Sequence, residues 1–138
     1  MTAPIELYFW PTPNGWKVSI ALHEFDLPYN GRFCGETERE RIAVDQWLMW
    51  QMGGVGPMAG QAHHFLKYAP AMDPPNDLPY AKDRYRNEVA RLYRVLDTQL
   101  SDNRYVAGDF YSIADMSLWG WVSLWEGQQQ TLDDKPHL

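Results

Sequence analysis

The sequence predicts a mainly α-helical protein in which a strand, a tight loop and one helix precede a longer all-helical part. Three observations support this fold class: apolar residues recur at helical spacing through most of the chain after Thr37, one β-type segment lies near the N-terminus, and no strand pattern follows residue 36. Because an isolated strand or pair of strands is marginally stable, the helices must supply most of the core.

The strand is predicted over residues 5–10, where aromatic and β-favouring side chains alternate loosely before the turn residues 11–15. From Trp16 the apolar positions recur near helical spacing until Leu27 and Pro28 end the segment. A second short strand is expected over residues 29–33.

A long helix is predicted to begin at Thr37, because Thr37 and Glu40 have the spacing of a capping box. Residues 47–52 are apolar on nearly every side of this helix, which favours either burial in a bundle or a subunit contact. The glycines of residues 53–56, followed by Pro57, are expected to kink or break it.

The next helix has the clearest apolar stripe in the chain, with charged residues opposite. Its apolar positions are Ala81, Tyr85, Val89, Leu92, Tyr93, Leu96 and Leu100. Ser112 and Asp115 predict the capped start of a last helix that continues through Trp119 towards Trp125.

Composition limits the classes of partner. With 138 residues, 45% hydrophobic and 22% charged, the chain fits one globular domain or two very small ones. A net charge of −6 argues against nucleic acid or an anionic membrane surface and favours a small ligand. One cysteine, Cys34, and no leader or long apolar run predict a cytoplasmic protein, and the 14% aromatic content predicts an oligomer.

The loop between the first strand and helix is the strongest candidate for chemistry. Thr12 and Asn14 can donate hydrogen bonds beside a helix N-terminus, a position that favours anions and would shift a bound thiol towards thiolate. The same spacing also fits a simple helix-entry cap, so spacing alone leaves both readings open.

Five segments resemble bacterial Nu-class glutathione transferases, the group related to glutathione disulfide-bond oxidoreductases. They are spread over most of the chain and occur in the family's order: residues 8–19, 46–58, 60–65, 79–85 and 108–115. The run of tryptophan, glutamine and glycine in residues 46–58 is the most specific of them.

This resemblance implies a glutathione-transferase-like fold, with a truncated thioredoxin-like, glutathione-binding part over residues 1–36 and an all-helical domain over residues 37–138. It implies a homodimer that uses glutathione as co-substrate for thiol/disulfide transfer, of the disulfide reductase or peroxidase type. Thr12 and Asn14 would contact the glutathione sulfur as catalytic residues. Asn14, Gln51 and Arg84 would bind glutathione, and a guanidinium suits a peptide carboxylate.

The chain also departs from the family pattern. Between Tyr29 and Thr37 it lacks about fifty residues, which in the family hold the cis-proline strand and the glutamate–serine pair that grips glutathione. The family's closing helices after Leu138 are missing as well. Two alternatives therefore stand beside an enzyme: a non-catalytic helical remnant that acts in dimerisation or partner binding, and a truncated gene product.

No metal site is predicted. His63 and His64 are neighbours on a helix, so their side chains point about 100° apart and cannot share one ion without other ligands. Cys34 fits an idle surface thiol better than a redox residue, because Glu36 and Glu38 lie close by in sequence.

Overall fold

The structure is a computed structural model that describes residues 33–138. Their four α-helices are α1 (Glu38–Trp50), α2 (Gly56–His63), α3 (Pro79–Asp102) and α4 (Ile113–Val122). π-Helical turns at Gln51–Val55 and His64–Tyr68 follow α1 and α2, and 3-10 turns occupy Ala69–Ala71 and Trp125–Gln128. This part of the chain has no β-strand, only an isolated bridge between Tyr105 and Gly108. The mainly α-helical prediction is confirmed.

The predicted N-terminal elements lie outside the described residues. These are the strand over residues 5–10, the loop over residues 11–15, the helix from Trp16 and nearly all of the second strand. Within the described part, no helix is both long and apolar enough to cross a lipid bilayer.

α1 begins at the predicted capping box. The Thr37 hydroxyl accepts a 3.2 Å hydrogen bond from the backbone N–H of Glu40, and the Glu40 carboxylate accepts 2.8 Å bonds from the N–H groups of Thr37 and Glu36. These backbone donors lower the pKa of Glu40, led by that of Thr37. The capping box therefore satisfies two backbone N–H groups at the start of α1, those of Thr37 and Glu40.

The glycine-rich segment does not break the chain's helical course. Gln51–Val55 forms a π-helical turn, and α2 starts directly after it. Gly53 and Gly54 keep negative φ angles, and a β-carbon on Gly54 would lie 3.6 Å from Leu92. The expected kink is thus a widened turn, a local irregularity that often accompanies functional sites.

α3 supplies the centre of the core. Val89, Leu92, Tyr93 and Leu96 are buried as the stripe predicts, whereas Ala81, Tyr85 and Leu100 are half-buried towards the helix ends. Core residues from the other elements are Val44, Val55, Ala59, Ala62, Val106, Ala114, Leu118 and Trp121. α2 is the main neighbour of α3.

α4 also begins at a predicted capping box. The Asp115 carboxylate accepts 2.9 Å hydrogen bonds from the backbone N–H and hydroxyl of Ser112, and a third of 2.9 Å from the N–H of Val106. The helix ends at Val122, and a 3-10 turn that begins at Trp125 follows it. Asp115 thereby ties the preceding loop to the start of α4.

One side of α1, continued by the π-helical turn after it, stays uncovered. Ile42, Met49 and Met52 are each more than half exposed, with Met49 at 66%. Residues 47–52 are therefore not buried on all sides by residues of the same chain, although Gln51 is fully buried. The expected subunit contact remains a prediction for this exposed apolar face of α1.

Candidate functional site

Gln51 lies at the junction of α1 and the first π-helical turn, and its side chain is fully buried. It packs against Gly56 beside Trp121 of α4. A β-carbon on Gly56 would lie 2.8 Å from Nε2 of Gln51 and 3.3 Å from Nε1 of Trp121, so only glycine allows these side chains to pack so close to the backbone. The three residues border a cavity of about 300 Å³, whose other lining residues are Met52, Pro57, Gly60 and Gln61.

Trp121 has an unusual polar atom. Its side chain is only 8% exposed, and its indole N–H has no hydrogen-bond acceptor among residues 33–138. Gly60 approaches the other end of the same ring, since a β-carbon there would lie 3.5 Å from Cη2. No pattern in the sequence singles out Trp121. Gly56 and Gly60 are four positions apart, so they lie on the same face of α2. This spacing is the one sequence feature that indicates room for a large ring against that face.

Arg84 lies on the exposed face of α3 and lines a wider cavity of about 730 Å³. Its neighbours pair with carboxylates: Arg86 lies 2.5 Å from Asp83, and Arg91 lies 2.7 Å from Glu88. Arg84 itself forms no ion pair within the described part of the chain. Its guanidinium is therefore accessible to a ligand carboxylate.

The structure does not bring Gln51 and Arg84 into one cavity. Met58 faces the cavity of Arg84, whereas Gly56 and Gly60 face that of Gln51. Residues two positions apart on a helix point to nearly opposite sides, so α2 separates the two cavities. Thr12 and Asn14 lie outside the described residues, and their roles remain predictions.

His63 and His64 have different surroundings. The His63 Nδ1–H donates a 3.3 Å hydrogen bond to the carbonyl of Ala59, and burial lowers the pKa of the ring. His64 is half-buried and meets Phe65 edge to face. Residues 33–138 hold no group of three or more side chains suited to a metal ion.

The chain is similar to known proteins of one family. Residues 58–137 match the family model of the glutathione S-transferase C-terminal domain. The disulfide-bond oxidoreductase YfcG of Escherichia coli K12 is 33% identical over 181 aligned positions, which cover 91% of this chain and 82% of YfcG. Because that alignment is longer than the 138 residues of this chain, YfcG has residues with no counterpart here.

Solved structures agree with this match. A glutathione transferase from Burkholderia graminis, with two glutathione molecules bound per subunit, has a TM-score of 0.78 and 27% identity, covering 93% of this chain and 77% of its own. A glutathione transferase from Pseudomonas putida, with one glutathione disulfide bound per subunit, has a TM-score of 0.73 and 28% identity, covering 83% of this chain and 72% of its own. This chain belongs to the glutathione S-transferase family, together with the disulfide-bond oxidoreductases.

Proposed function

We propose that this protein carries out glutathione-dependent thiol/disulfide transfer, of the disulfide reductase or peroxidase type. The observation that carries this function is the similarity to a disulfide-bond oxidoreductase across 91% of the chain. The two similar transferases, solved with glutathione or glutathione disulfide bound, support glutathione as the co-substrate.

Thr12 and Asn14 are the proposed catalytic residues. Their side chains donate hydrogen bonds to the glutathione sulfur and lower its pKa, which raises the fraction of reactive thiolate. The thiolate attacks one sulfur of a substrate disulfide, forms a mixed disulfide and releases the other half as a thiol. A second glutathione thiolate then attacks the glutathione sulfur of this mixed disulfide. The remaining half of the substrate leaves as a thiol, and the two glutathione molecules leave joined as glutathione disulfide.

Gln51 and Arg84 are the proposed binding residues in the helical domain. Arg84 suits a peptide carboxylate, because its guanidinium is exposed and forms no ion pair within residues 33–138. Gln51 suits the uncharged part of the peptide, because its buried amide borders a small cavity to which residues 33–138 contribute no ionisable side chain. Since α2 lies between the two side chains, they engage different parts of the ligand or two different glutathione molecules.

The domain division and the assembly complete the proposal. Residues 1–36 form the truncated thioredoxin-like part, residues 37–138 form the helical domain, and two copies associate through the apolar face of α1. A reducing, cytoplasmic environment suits both a thiol co-substrate and Cys34, which forms no disulfide within residues 33–138.

A second candidate is a non-catalytic helical protein that acts in dimerisation or partner binding. The exposed apolar face of α1 favours it, because the side chains of Ile42, Met49 and Met52 are each more than half exposed. The alignment with YfcG, which is longer than this chain, also favours the non-catalytic candidate. Any glutathione contact that depends on residues without a counterpart here would be lost.

The double variant Thr12→Ala/Asn14→Ala separates the two candidates. For the enzyme, it abolishes glutathione-dependent reduction of a small synthetic disulfide and leaves helicity and oligomer size unchanged. Asn76→Ala, in the exposed loop before α3, is the matched control and keeps full activity. A wild-type protein that forms a stable oligomer but reduces no disulfide supports the non-catalytic candidate.

A further inference from the structure

We propose that the cavity between the C-terminal end of α3 and α4 binds a small apolar carboxylate, with Arg104 pairing with the carboxylate and Trp119 covering the apolar part. None of the residues that line this cavity is among those proposed above to bind glutathione. The inference therefore adds a second class of ligand to the proposed function.

The cavity has an apolar floor and the size of a small ligand. Three buried core residues, Leu96, Val106 and Leu118, line it together with the half-buried side chains of Leu100 and Val122. Its volume is about 330 Å³. Because ligand pockets range over roughly 300–1,000 Å³, this one suits a single ring with a short chain and not a long peptide.

Aromatic side chains form much of the wall. The rings of Tyr105 and Tyr111 lie 5.6 Å apart between centroids, and both line the cavity beside Trp119. Trp119 is 59% exposed, whereas its neighbours Leu118 and Gly120 are buried. A large exposed apolar side chain beside an apolar cavity gains free energy when a ligand covers it. The body of the ligand is therefore apolar.

A guanidinium stands at the solvent edge of the cavity. Arg104 is exposed, and its Cζ lies 5.4 Å from the centroid of the Tyr105 ring, a cation–π contact that keeps the charge beside the cavity. Arg104 forms no ion pair with any other residue in the range 33–138. Since a guanidinium fork matches a carboxylate, and the edge leaves the charges partly hydrated, the polar end of the ligand is a carboxylate.

The acidic residue of the lining is already committed to the protein. The Asp115 carboxylate accepts three hydrogen bonds of 2.9 Å, one from the N–H of Val106 and two from Ser112. These donors offset its charge, so Asp115 neither occupies Arg104 nor offers a free site to a cation. His137 lines the same cavity, and its backbone N–H donates a 2.8 Å bond to the Asp97 carboxylate, which fixes that side of the cavity to α3.

The direct test titrates the full chain, labelled with ¹⁵N-tryptophan, with 4-phenylbutyrate. Trp119→Phe assigns the indole resonance of Trp119, and Trp47 in α1, which does not line the cavity, is the internal reference. We expect a saturable shift of the Trp119 resonance, caused by the ligand ring beside the indole, and none for Trp47. Butyrate, which has the charge without the ring, should shift neither resonance.

Calorimetry on two variants separates the two parts of the ligand. Arg104→Gln removes the charge and should weaken 4-phenylbutyrate binding roughly two- to fivefold, since the pair lies at a solvent-exposed edge. Trp119→Ala removes the aromatic wall and should weaken it roughly three- to tenfold. Both positions are exposed, and circular dichroism checks that the variants keep their helicity. Arg94→Gln, an exposed arginine of α3 in a different cavity, is the matched control and should bind as wild type does.

The neutral analogue 4-phenylbutanol tests the charge of the ligand independently of any variant. It should bind wild type roughly two- to fivefold more weakly than 4-phenylbutyrate and should bind the Arg104 variant as it binds wild type. Equal affinity of the acid and the alcohol for wild type would overturn the pairing of Arg104 with a carboxylate.

The remaining outcomes distinguish this site from the proposed function. If the folded wild-type protein gives no saturable shift of the Trp119 resonance, as it would if another part of the chain filled the cavity, the site is overturned and the glutathione-dependent function stands. Saturating reduced glutathione should leave the affinity for 4-phenylbutyrate unchanged. Displacement of 4-phenylbutyrate by glutathione would overturn a separate site, while a protein that binds 4-phenylbutyrate but no glutathione would retain the site and lose the proposed function.

Discussion

The phenol of Tyr93, at the centre of α3, donates a 2.7 Å hydrogen bond to Oε1 of Gln128. Both side chains are fully buried, and Nε2 of Gln128 donates a further 2.8 Å bond to the carbonyl of Trp121. Burial raises the pKa of Tyr93 far above its ordinary value, so the phenol remains a donor at every physiological pH. This chain of bonds connects α3, the last 3-10 turn and the C-terminal end of α4.

Replacing Tyr93 with phenylalanine should destabilise the fold by about 1–3 kcal/mol, because Oε1 of Gln128 would stay buried without its donor. Urea unfolding followed by circular dichroism measures the change. Tyr80→Phe is the matched control: Tyr80 is 77% exposed, and its change should stay within about 0.5 kcal/mol. Equal stability of the Tyr93 variant and wild type would show that the bond contributes nothing.

Ser112→Ala should cost about 1–2 kcal/mol of stability, because it removes the N-cap of α4. It also takes one hydrogen bond from Asp115, the residue that holds the loop at Val106. Ser123→Ala, at the exposed C-terminal end of the same helix, is the control and should have little effect. Identical unfolding midpoints for both variants would contradict this role of the cap.

Stability should fall as the pH drops through about 6.5. Burial lowers the pKa of His63 in the fold, and Lys67 adds to the effect, so the unfolded chain binds more protons below its own pKa of 6.5. Above pH 6.5 the contribution of His63 to the free energy of unfolding is constant. Below pH 6.5 this contribution is lost progressively until the pH reaches the pKa of His63 in the folded protein. Depressed carboxyl pKa values, such as that of Glu88, act at lower pH.

The measurement is urea unfolding between pH 5 and 8 for wild type, His63→Gln and His137→Gln. His63→Gln should flatten the decline, whereas His137→Gln, at an exposed position, should preserve it. An unchanged pH profile in the His63 variant would assign the decline to other groups.

Met49→Lys should weaken the proposed dimer at least tenfold, because it places a charge in the middle of the apolar face of α1. Light scattering coupled to size-exclusion chromatography measures the mass over a range of concentrations. Met72→Lys, also exposed but outside α1, should leave the dimer intact. If the wild-type protein stays monomeric at high concentration, this face is not a subunit contact.

Local patterns in the sequence predicted the starts of two helices and the buried face of a third. Thr37 with Glu40 and Ser112 with Asp115 predicted two helix starts, because a capping box depends on residues only three positions apart. The stripe centred on Leu92 likewise predicted the buried face of α3, since helical periodicity needs no knowledge of the partner.

Features that depend on tertiary packing were not predictable in the same way. The pairing of Tyr93 with Gln128 joins residues 35 positions apart. The contact of Trp121 with Gly56 requires α4 to cross the first π-helical turn. The separation of Gln51 from Arg84 depends on which side of α2 each cavity occupies. Glycines at 53 and 54 suggested a break, yet the chain continues there as a π-helical turn, in which Gly54 lies close to Leu92.

Calorimetric titration of the purified, discretely oligomeric protein with reduced and oxidised glutathione tests the proposed function most directly. Saturable binding at or below millimolar concentration, weakened by Arg84→Ala and by Thr12→Ala/Asn14→Ala, is the predicted result. Arg104→Ala, an exposed arginine in the loop after α3, is the control and should bind as wild type does. No heat of binding from a well-folded sample would contradict a glutathione-dependent function.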